Sequence, residues 1–359
     1  MYNTCIETNG NHSSYQSVNT EELSIEDISI EQYQEFSKRN DSIIELTKKI
    51  KDWLEQNQSS IQYSIFNIPK MTGGYREIKA PEDELKAFMK LVKIDLENIG
   101  VISHDSAFAY IANRDCKRAM QRHQRNKSNW FLKIDLERFF NNCSEEVISS
   151  QLKKVYPFSL MAQEDYDNFI VALCGLSCHE NELPQGTPLS PILTNWIMIS
   201  IDSQINKSLA EVSNQTFVYT RYADDLLISS KQPFRYEEIV DLIKDILEQE
   251  ETPFAINDSK TRYGSKAGKN WNLGIMYNKE HNLTVGHKRK RRIKTMLFQF
   301  YQGHRDREYA LELNGELAYL KNIEPEYHDH LINFMSRKYR LNFRKAINHV
   351  IKQTNLVIS

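Results

Sequence analysis

Val218-Tyr219-Thr220-Arg221-Tyr222-Ala223-Asp224-Asp225-Leu226-Leu227-Ile228-Ser229 is the stretch whose reading decides the fold. Val218-Tyr219 before the acids and Leu226-Leu227-Ile228 after them read as the apolar arms of a β-hairpin with both aspartates at its tip. An Asp-Asp pair in a turn is ordinarily a solvated loop, since short polar side chains suit turn backbone. Strand on either side changes that reading, because a sheet then holds the two acids in place.

Working outward, Trp130 to Ile134 reads as a second strand that delivers Asp135 at its end, within Phe131-Leu132-Lys133-Ile134-Asp135-Leu136-Glu137-Arg138-Phe139-Phe140. Two acids on a hairpin tip that face a third at a neighbouring strand's exit gather negative charge which nothing nearby neutralises. Hard divalent cations take oxygen ligands and make such a cluster tolerable. Two Mg²⁺ ions about 3.5–4 Å apart can stabilise both the attacking and the leaving oxygens when a 3′ hydroxyl attacks an α-phosphate. A third segment, Leu183-Pro184-Gln185-Gly186-Thr187-Pro188-Leu189-Ser190-Pro191-Ile192-Leu193, is a stiff loop able to hold a substrate edge. Ser190 is placed to cap the helix that follows, and Pro191 suits its first turn ahead of an apolar face of Leu193, Trp196, Ile197 and Ile201.

Upstream, apolar spacing predicts a helix over Ile43–Leu54, extended chain over Ser59–Ile68 and a hairpin over Thr72–Pro81 carrying Arg76 and Lys79. Glu84–Ile99 reads as an amphipathic helix with Leu85, Phe88, Met89, Leu91, Val92 and Leu96 toward a core. Neither an internal repeat nor a low-complexity linker interrupts the chain, so one continuous assembly is expected from about residue 45 on.

The chain's 359 residues are 40% hydrophobic and 26% charged, which excludes a wholly disordered or fibrous protein. No apolar run approaches the roughly 20 residues needed to span a bilayer, and the polar start lacks a signal-peptide pattern, so no membrane partner and a cytoplasmic setting are expected. Five cysteines, at 5, 116, 143, 174 and 178, argue for reduced thiols over a disulfide framework. A net charge of −2 weighs against a nucleic-acid partner until its distribution is examined. Residues 1 to 37 hold seven acids and no Lys or Arg, which leaves 46 basic against 41 acidic residues over the rest. Within that mildly basic body, His287-Lys288-Arg289-Lys290-Arg291-Arg292-Ile293-Lys294 is a dense positive run, and Arg337, Lys338, Arg340, Arg344 and Lys345 form another. Either is a solvated helix face or a phosphate-binding surface.

In this order the segments resemble bacterial reverse transcriptases, of the retron group or a related defence-associated group, over roughly residues 45 to 300. The resemblance rests on Tyr222-Ala223-Asp224-Asp225, on Pro184-Gln185-Gly186 through Ser190-Pro191, and on Asp135. It implies an α+β fold of the right-hand polymerase type. An acidic extension would cover residues 1–42, fingers and a ferredoxin-like palm 43–286, and a helical thumb 287–359. It implies an RNA-directed DNA polymerase that makes DNA from dNTPs on a structured RNA template in anti-phage defence. The partners would be a cognate non-coding RNA, the DNA product and an effector protein. Asp135, Asp224 and Asp225 would be catalytic and, with the carbonyl of Leu136, hold two Mg²⁺, for which Mn²⁺ can substitute. Arg76 and Lys79 would grip the triphosphate, Gln185 the nucleotide, Phe140 the sugar 2′ position, and Lys260 the leaving pyrophosphate. Tyr222, Gly274 in Asn272-Leu273-Gly274-Ile275, and Lys288, Arg289, Lys290, Arg291 and Arg292 would contact nucleic acid. The alternatives are a template-independent or protein-primed nucleotidyltransferase and a non-catalytic RNA-binding polymerase homologue.

Overall fold

Ser29 fixes where the first helix begins. Its hydroxyl accepts from the Gln32 amide (3.2 Å) while the Gln32 side chain accepts from the Ser29 amide (2.8 Å), a capping box that satisfies two otherwise orphaned donors. Helix α1 (Ile30–Gln56) therefore starts well ahead of the Ile43 expected, and the border drawn at residue 42 falls inside it. The computed structural model describes residues 29–69, 73–212, 215–267 and 270–353. Most of the acidic extension, Thr72 and Cys5 lie outside them.

After α1 come the hairpin β1 (Tyr63–Pro69) and β2 (Tyr75–Pro81), then α2 (Asp83–Ile99), α3 (Cys116–Arg125), β3 (Trp130–Asp135), α4 (Glu145–Leu152) and α5 (Gln163–Ser177). The chain continues through α6 (Ser190–Glu211), β4 (Phe217–Tyr222), β5 (Asp225–Ser230), α7 (Tyr236–Gln249), β6 (Arg262–Ser265), β7 (Met276–Tyr277) and β8 (Leu283–Thr284). It finishes with α8 (Gly286–Gln302), α9 (Arg307–Ile323), α10 (Pro325–Tyr339) and α11 (Phe343–Gln353). The class is α+β, as expected.

The central sheet has the order β4-β5-β3-β6. By appearance along the chain these are its second, third, first and fourth strands, with helices after the first and the third and a tight turn between the second and third. That is the β-α-β-β-α-β ferredoxin-like arrangement. It makes β5, which opens with Asp225, the neighbour of β3, which closes with Asp135.

The chain divides into two compact bodies. The first holds the described residues up to Arg114 together with Lys133–Leu226 and Arg235–Arg262. In its core α1 packs on α2 and α5, and α6 on α4 and α7. Ile43, Leu46, Ile50, Leu85, Phe169, Trp196, Ile201 and Ile243 are buried there, each worth roughly 1.5–3 kcal/mol when fully removed from water. Leu91 does not join them. It is 53% exposed, because it falls off the i, i+3, i+4 stripe that buries Leu85, Phe88, Met89, Val92 and Leu96.

The second body holds Asp115–Leu132, Leu227–Phe234 and the described residues from Tyr263 on. Its core joins Met120, Phe131, Trp271 and Ile275 to Ile293, Leu297, Phe300, Leu313, Leu320, Leu331 and Phe343 from α8 to α11. Phe131 stacks on Trp271 at 5.2 Å between ring centroids. The helical thumb expected from residue 287 is, among the described residues, four helices, α8 to α11, and Arg340 adopts a left-handed conformation that ends α10 ahead of α11.

Candidate active site

Asp224 sits in the two-residue turn between β4 and β5, and Asp225 opens β5. A connection this short requires positive φ at its first residue, and Ala223 takes it at 57°. Tyr222, half-buried, closes β4 just before that turn. Backbone bonds then draw the third acid in. Leu136 N donates to the Asp224 carbonyl (3.0 Å), and Asn257 N donates to the Asp135 carbonyl (2.8 Å). Burial, with repulsion from Asp225 and from Asp135, pushes the Asp224 carboxyl up to about 6. Leu136 itself is buried, and its flank Glu137 N bonds the Ala255 carbonyl at 2.8 Å.

Two lysines face this excess of negative charge. Lys133 Nζ lies 2.6 Å from Asp225 Oδ2, with both side chains mostly buried. Lys260 Nζ donates to both oxygens of Asp135, at 2.9 and 3.1 Å. The Asp135 carboxylate, by that hydrogen bond, holds the Lys260 ammonium above its usual range. Lys133 escaped the sequence reading, although its spacing gives it away. Residues two apart on a strand share a face, so Lys133 and Asp135 point the same way from β3.

Among the described residues no group of three or more His, Cys, Asp or Glu side chains is gathered as a metal cage. The donors nonetheless suit a hard divalent cation. They are oxygen only, and one carboxyl has its proton affinity raised by burial and by two others, a penalty that a bound cation relieves. Positive charge at these acids comes from Lys133 and Lys260.

Arg76 and Lys79 were expected to act together, and the structure separates them. They are three apart on β2 and so project from opposite faces. Lys79 is buried, its ammonium bonded to Glu180 (2.7 Å) and Glu182 (2.9 Å), and is not the free cation anticipated for a triphosphate. Arg76 stays exposed, within electrostatic reach of Tyr110, which also feels Asp224 and Tyr222. Tyr110 went unnoticed in the sequence; it is 54% exposed and has a φ of 61°, uncommon for a bulky residue.

Gln185 is half-buried, and its carbonyl accepts from Lys79 N at 2.9 Å, which docks the proline-rich loop on β2. Only glycine fits next to it, since a Cβ on Gly186 would come within 2.7 Å of the Ile78 side chain and its φ is 115°. Ser190 does not cap α6 as expected. The N-cap is Leu189, and the Ser190 hydroxyl instead donates to the Pro184 carbonyl (2.8 Å) and meets the Thr187 hydroxyl (2.7 Å), tying the loop shut from inside. Phe140 is half-buried and packs edge-on to the buried Phe139, with ring centroids 5.7 Å apart.

In the second body, Gly274 turns the chain at φ 92°, and a Cβ there would lie 2.9 Å from the Arg289 guanidinium. Its amide donates to Asn270 Oδ1 (2.8 Å), and Tyr319 donates to the Leu273 carbonyl (2.7 Å). The basic run on α8 is less available than its composition suggested. Arg289 pairs with Glu316 (2.7 Å) over the Tyr319 ring, Lys290 with Glu324 (2.5 Å), and Arg292 with Glu312 and Glu316. Lys288 and Arg291 are exposed.

A family model described as reverse transcriptase (RNA-dependent DNA polymerase) matches residues 68–294. Curated proteins similar to this chain include the retron Ec83 reverse transcriptase of Escherichia coli, 27% identical over 313 residues, which are 82% of this chain and 93% of the relative. The retron Ec73 reverse transcriptase of the same organism is 27% identical over 76% of this chain and 86% of its own length. A solved apo telomerase from Candida tropicalis aligns at a TM-score of 0.47 and 13% identity, over 81% of this chain and 61% of the telomerase chain. With the family model spanning well over half its length, the chain belongs to the reverse transcriptase family, the RNA-directed DNA polymerases.

Proposed function

We propose that this chain is a retron-type reverse transcriptase that makes DNA from dNTPs on one structured RNA, with a pair of divalent cations held by Asp135 and Asp224. The observation that carries the reading is the convergence of Asp224 and Asp225, at the β4–β5 turn, with Asp135 at the end of neighbouring β3, tied by the Leu136 amide on the Asp224 carbonyl at 3.0 Å. A protein keeps so unfavourable a cluster where a ligand offsets it. Asp225 and the Leu136 carbonyl assist in holding the cations, which are Mg²⁺ or, as a substitute, Mn²⁺. When bound, they supply Lewis-acid stabilisation of the attacking and leaving oxygens.

The chain's own residues position everything else. Arg76, a fixed cation, receives the triphosphate. Lys260, whose ammonium donates to both oxygens of Asp135, would assist the leaving pyrophosphate. Gln185 borders the incoming nucleotide, and Phe140 crowds the sugar 2′ position. Tyr222 contacts nucleic acid, the turn at Gly274 grips the primer end, and Lys288 and Arg291 meet phosphates by charge alone. Fingers and palm begin with α1 and run to residue 286, and the residues from 287 on serve as thumb. The setting is anti-phage defence, with a cognate non-coding RNA as template and an effector protein as partner.

The test is primer extension on an RNA template by the double variant Asp224→Asn, Asp225→Asn. Synthesis falls at least about a thousandfold, as expected when charge stabilisation of a transition state is lost, while RNA retention stays unchanged. Undiminished incorporation by that variant overturns the assignment. Sequencing the product made from single dNTPs separates copying from untemplated addition.

A further inference from the structure

Arg221, three residues before Asp224, has a fully buried side chain, and so has its partner Asp202. A charge buried this deeply is tolerated only when its donors are used, and here they are. Arg221 Nε and Nη2 grip both oxygens of Asp202 at 2.8 to 3.1 Å. Tyr219 Oη donates to the same carboxylate at 2.6 Å. The remaining nitrogen, Nη1, donates to the Ala223 carbonyl and to Asn195 Oδ1, each at 3.2 Å. Asn195 Nδ2 passes the restraint on to the Ala109 carbonyl at 2.9 Å, next to Tyr110. The Arg221 backbone completes the tie, with its amide on the Ser106 carbonyl and its carbonyl accepting from Phe108.

We propose that Arg221, clamped by Asp202, is the positioning residue of the catalytic turn, holding Ala223 in its left-handed conformation and so aiming Asp224. The inference rests on the reading of Asp224 as a cation-holding carboxylate. Stability alone does not account for this choice of residues, because replacing a buried ion pair by apolar residues of similar volume is often neutral or stabilising. Only a planar, forked cation reaches a carboxylate, an amide oxygen and a backbone carbonyl at once; lysine cannot. Through Asn195 the same guanidinium sets the 106–110 loop, so the turn and Tyr110 share one anchor.

Two variants of the full chain test this. Arg221→Lys keeps the charge pair with Asp202 but loses the fork. The triple variant Tyr219→Phe, Asp202→Leu, Arg221→Met removes the buried polar groups and refills their volume. Both are checked for cooperative melting, then read for kcat and KM in primer extension and for Mn²⁺ affinity by electron paramagnetic resonance without nucleic acid. Because a displacement of about 1 Å costs a reacting group up to about a hundredfold, both variants lose roughly ten- to a hundredfold in kcat, with KM for dNTP within about twofold. Mn²⁺ affinity falls at least about fivefold, since the turn that presents Asp224 is no longer fixed. A triple variant with wild-type Mn²⁺ affinity overturns the proposal, and so does Arg221→Lys with unchanged kcat. Wild-type protein that binds Mn²⁺ yet extends no primer counts against the proposed function, and the Mn²⁺ comparison still decides the role of Arg221.

Discussion

The carboxylates around Asp224 and the basic run on α8 handle charge in opposite ways. At the turn, acids crowd until burial and mutual repulsion raise the Asp224 carboxyl to about 6, and the lysines that answer them grip Asp225 and Asp135. On α8, Arg289, Lys290 and Arg292 are matched by Glu316, Glu324 and Glu312 within the same body. Charge left unbalanced marks a place that awaits a ligand. Charge balanced inside marks architecture, whatever its density along the chain.

Asp224→Asn breaks the first side of this contrast with the largest effect. Synthesis is lost, but the metal-free protein gains stability at neutral pH. The sign follows from linkage: a carboxyl whose folded pKa is raised, from an ordinary 3.8 to about 6, favours folding fully below pH 4 and loses that contribution as pH rises through 6. The loss is at most about 3 kcal/mol. Thermal melts in chelator should therefore show wild type declining between about pH 4 and pH 6.5 relative to Asp224→Asn, by this linkage. Parallel curves would mean that the cluster is not strained.

Arg289→Ala probes the other side. It strips a mostly buried Glu316 of its better partner and uncovers the Tyr319 ring, 4.0 Å from the guanidinium. Urea unfolding should register a cost of about 1.5–3 kcal/mol for that charged hydrogen bond. The salt dependence of RNA binding should stay as in wild type, and a flatter slope would place Arg289 on phosphate instead.

The two clusters also show what one dimension can and cannot reveal. The acidic site was legible because strand periodicity and a turn place Asp224 and Asp225 whatever else the chain does, and because Asp135 ends a strand. The ferredoxin-like sheet was expected only through the resemblance to reverse transcriptases, because local periodicity does not specify the strand order β4-β5-β3-β6. Lys79 and Arg289 read as available cations because their glutamates lie far along the sequence, where no local spacing announces them. Arg221 stood in plain view inside the decisive stretch, yet its partner Asp202 sits on α6, an apolar helix on which nothing signals a buried acid. Ser29 and Gln32 did carry a readable capping pattern for α1, and it was passed over because the stretch before Ile43 is polar.

Lys288 and Arg291 are the α8 cations that the contrast leaves for phosphate. Changing both to Gln should lower the slope of log affinity against log salt by roughly 1.4 to 1.8, close to one counterion for each charge removed, with melting unchanged. An unaltered slope would empty α8 of any role in phosphate binding.

Arg292→Gln is the smallest effect and the sharpest control. Arg292 pairs with Glu312 while both side chains are half exposed, and Glu316 keeps its bond to Arg289 when Arg292 is gone. Solvent screens such a pair, and two long side chains regain rotamer freedom when it breaks, so stability should change by no more than about 0.5 kcal/mol. RNA affinity should fall less than in the Lys288, Arg291 variant, because the guanidinium already spends its charge on glutamates. If Arg292→Gln instead lowers the salt slope as much as either exposed cation does, the α8 pairs open when nucleic acid arrives. Internal neutralisation would then be a resting arrangement, and the division between balanced and unbalanced charge would hold only for the protein alone.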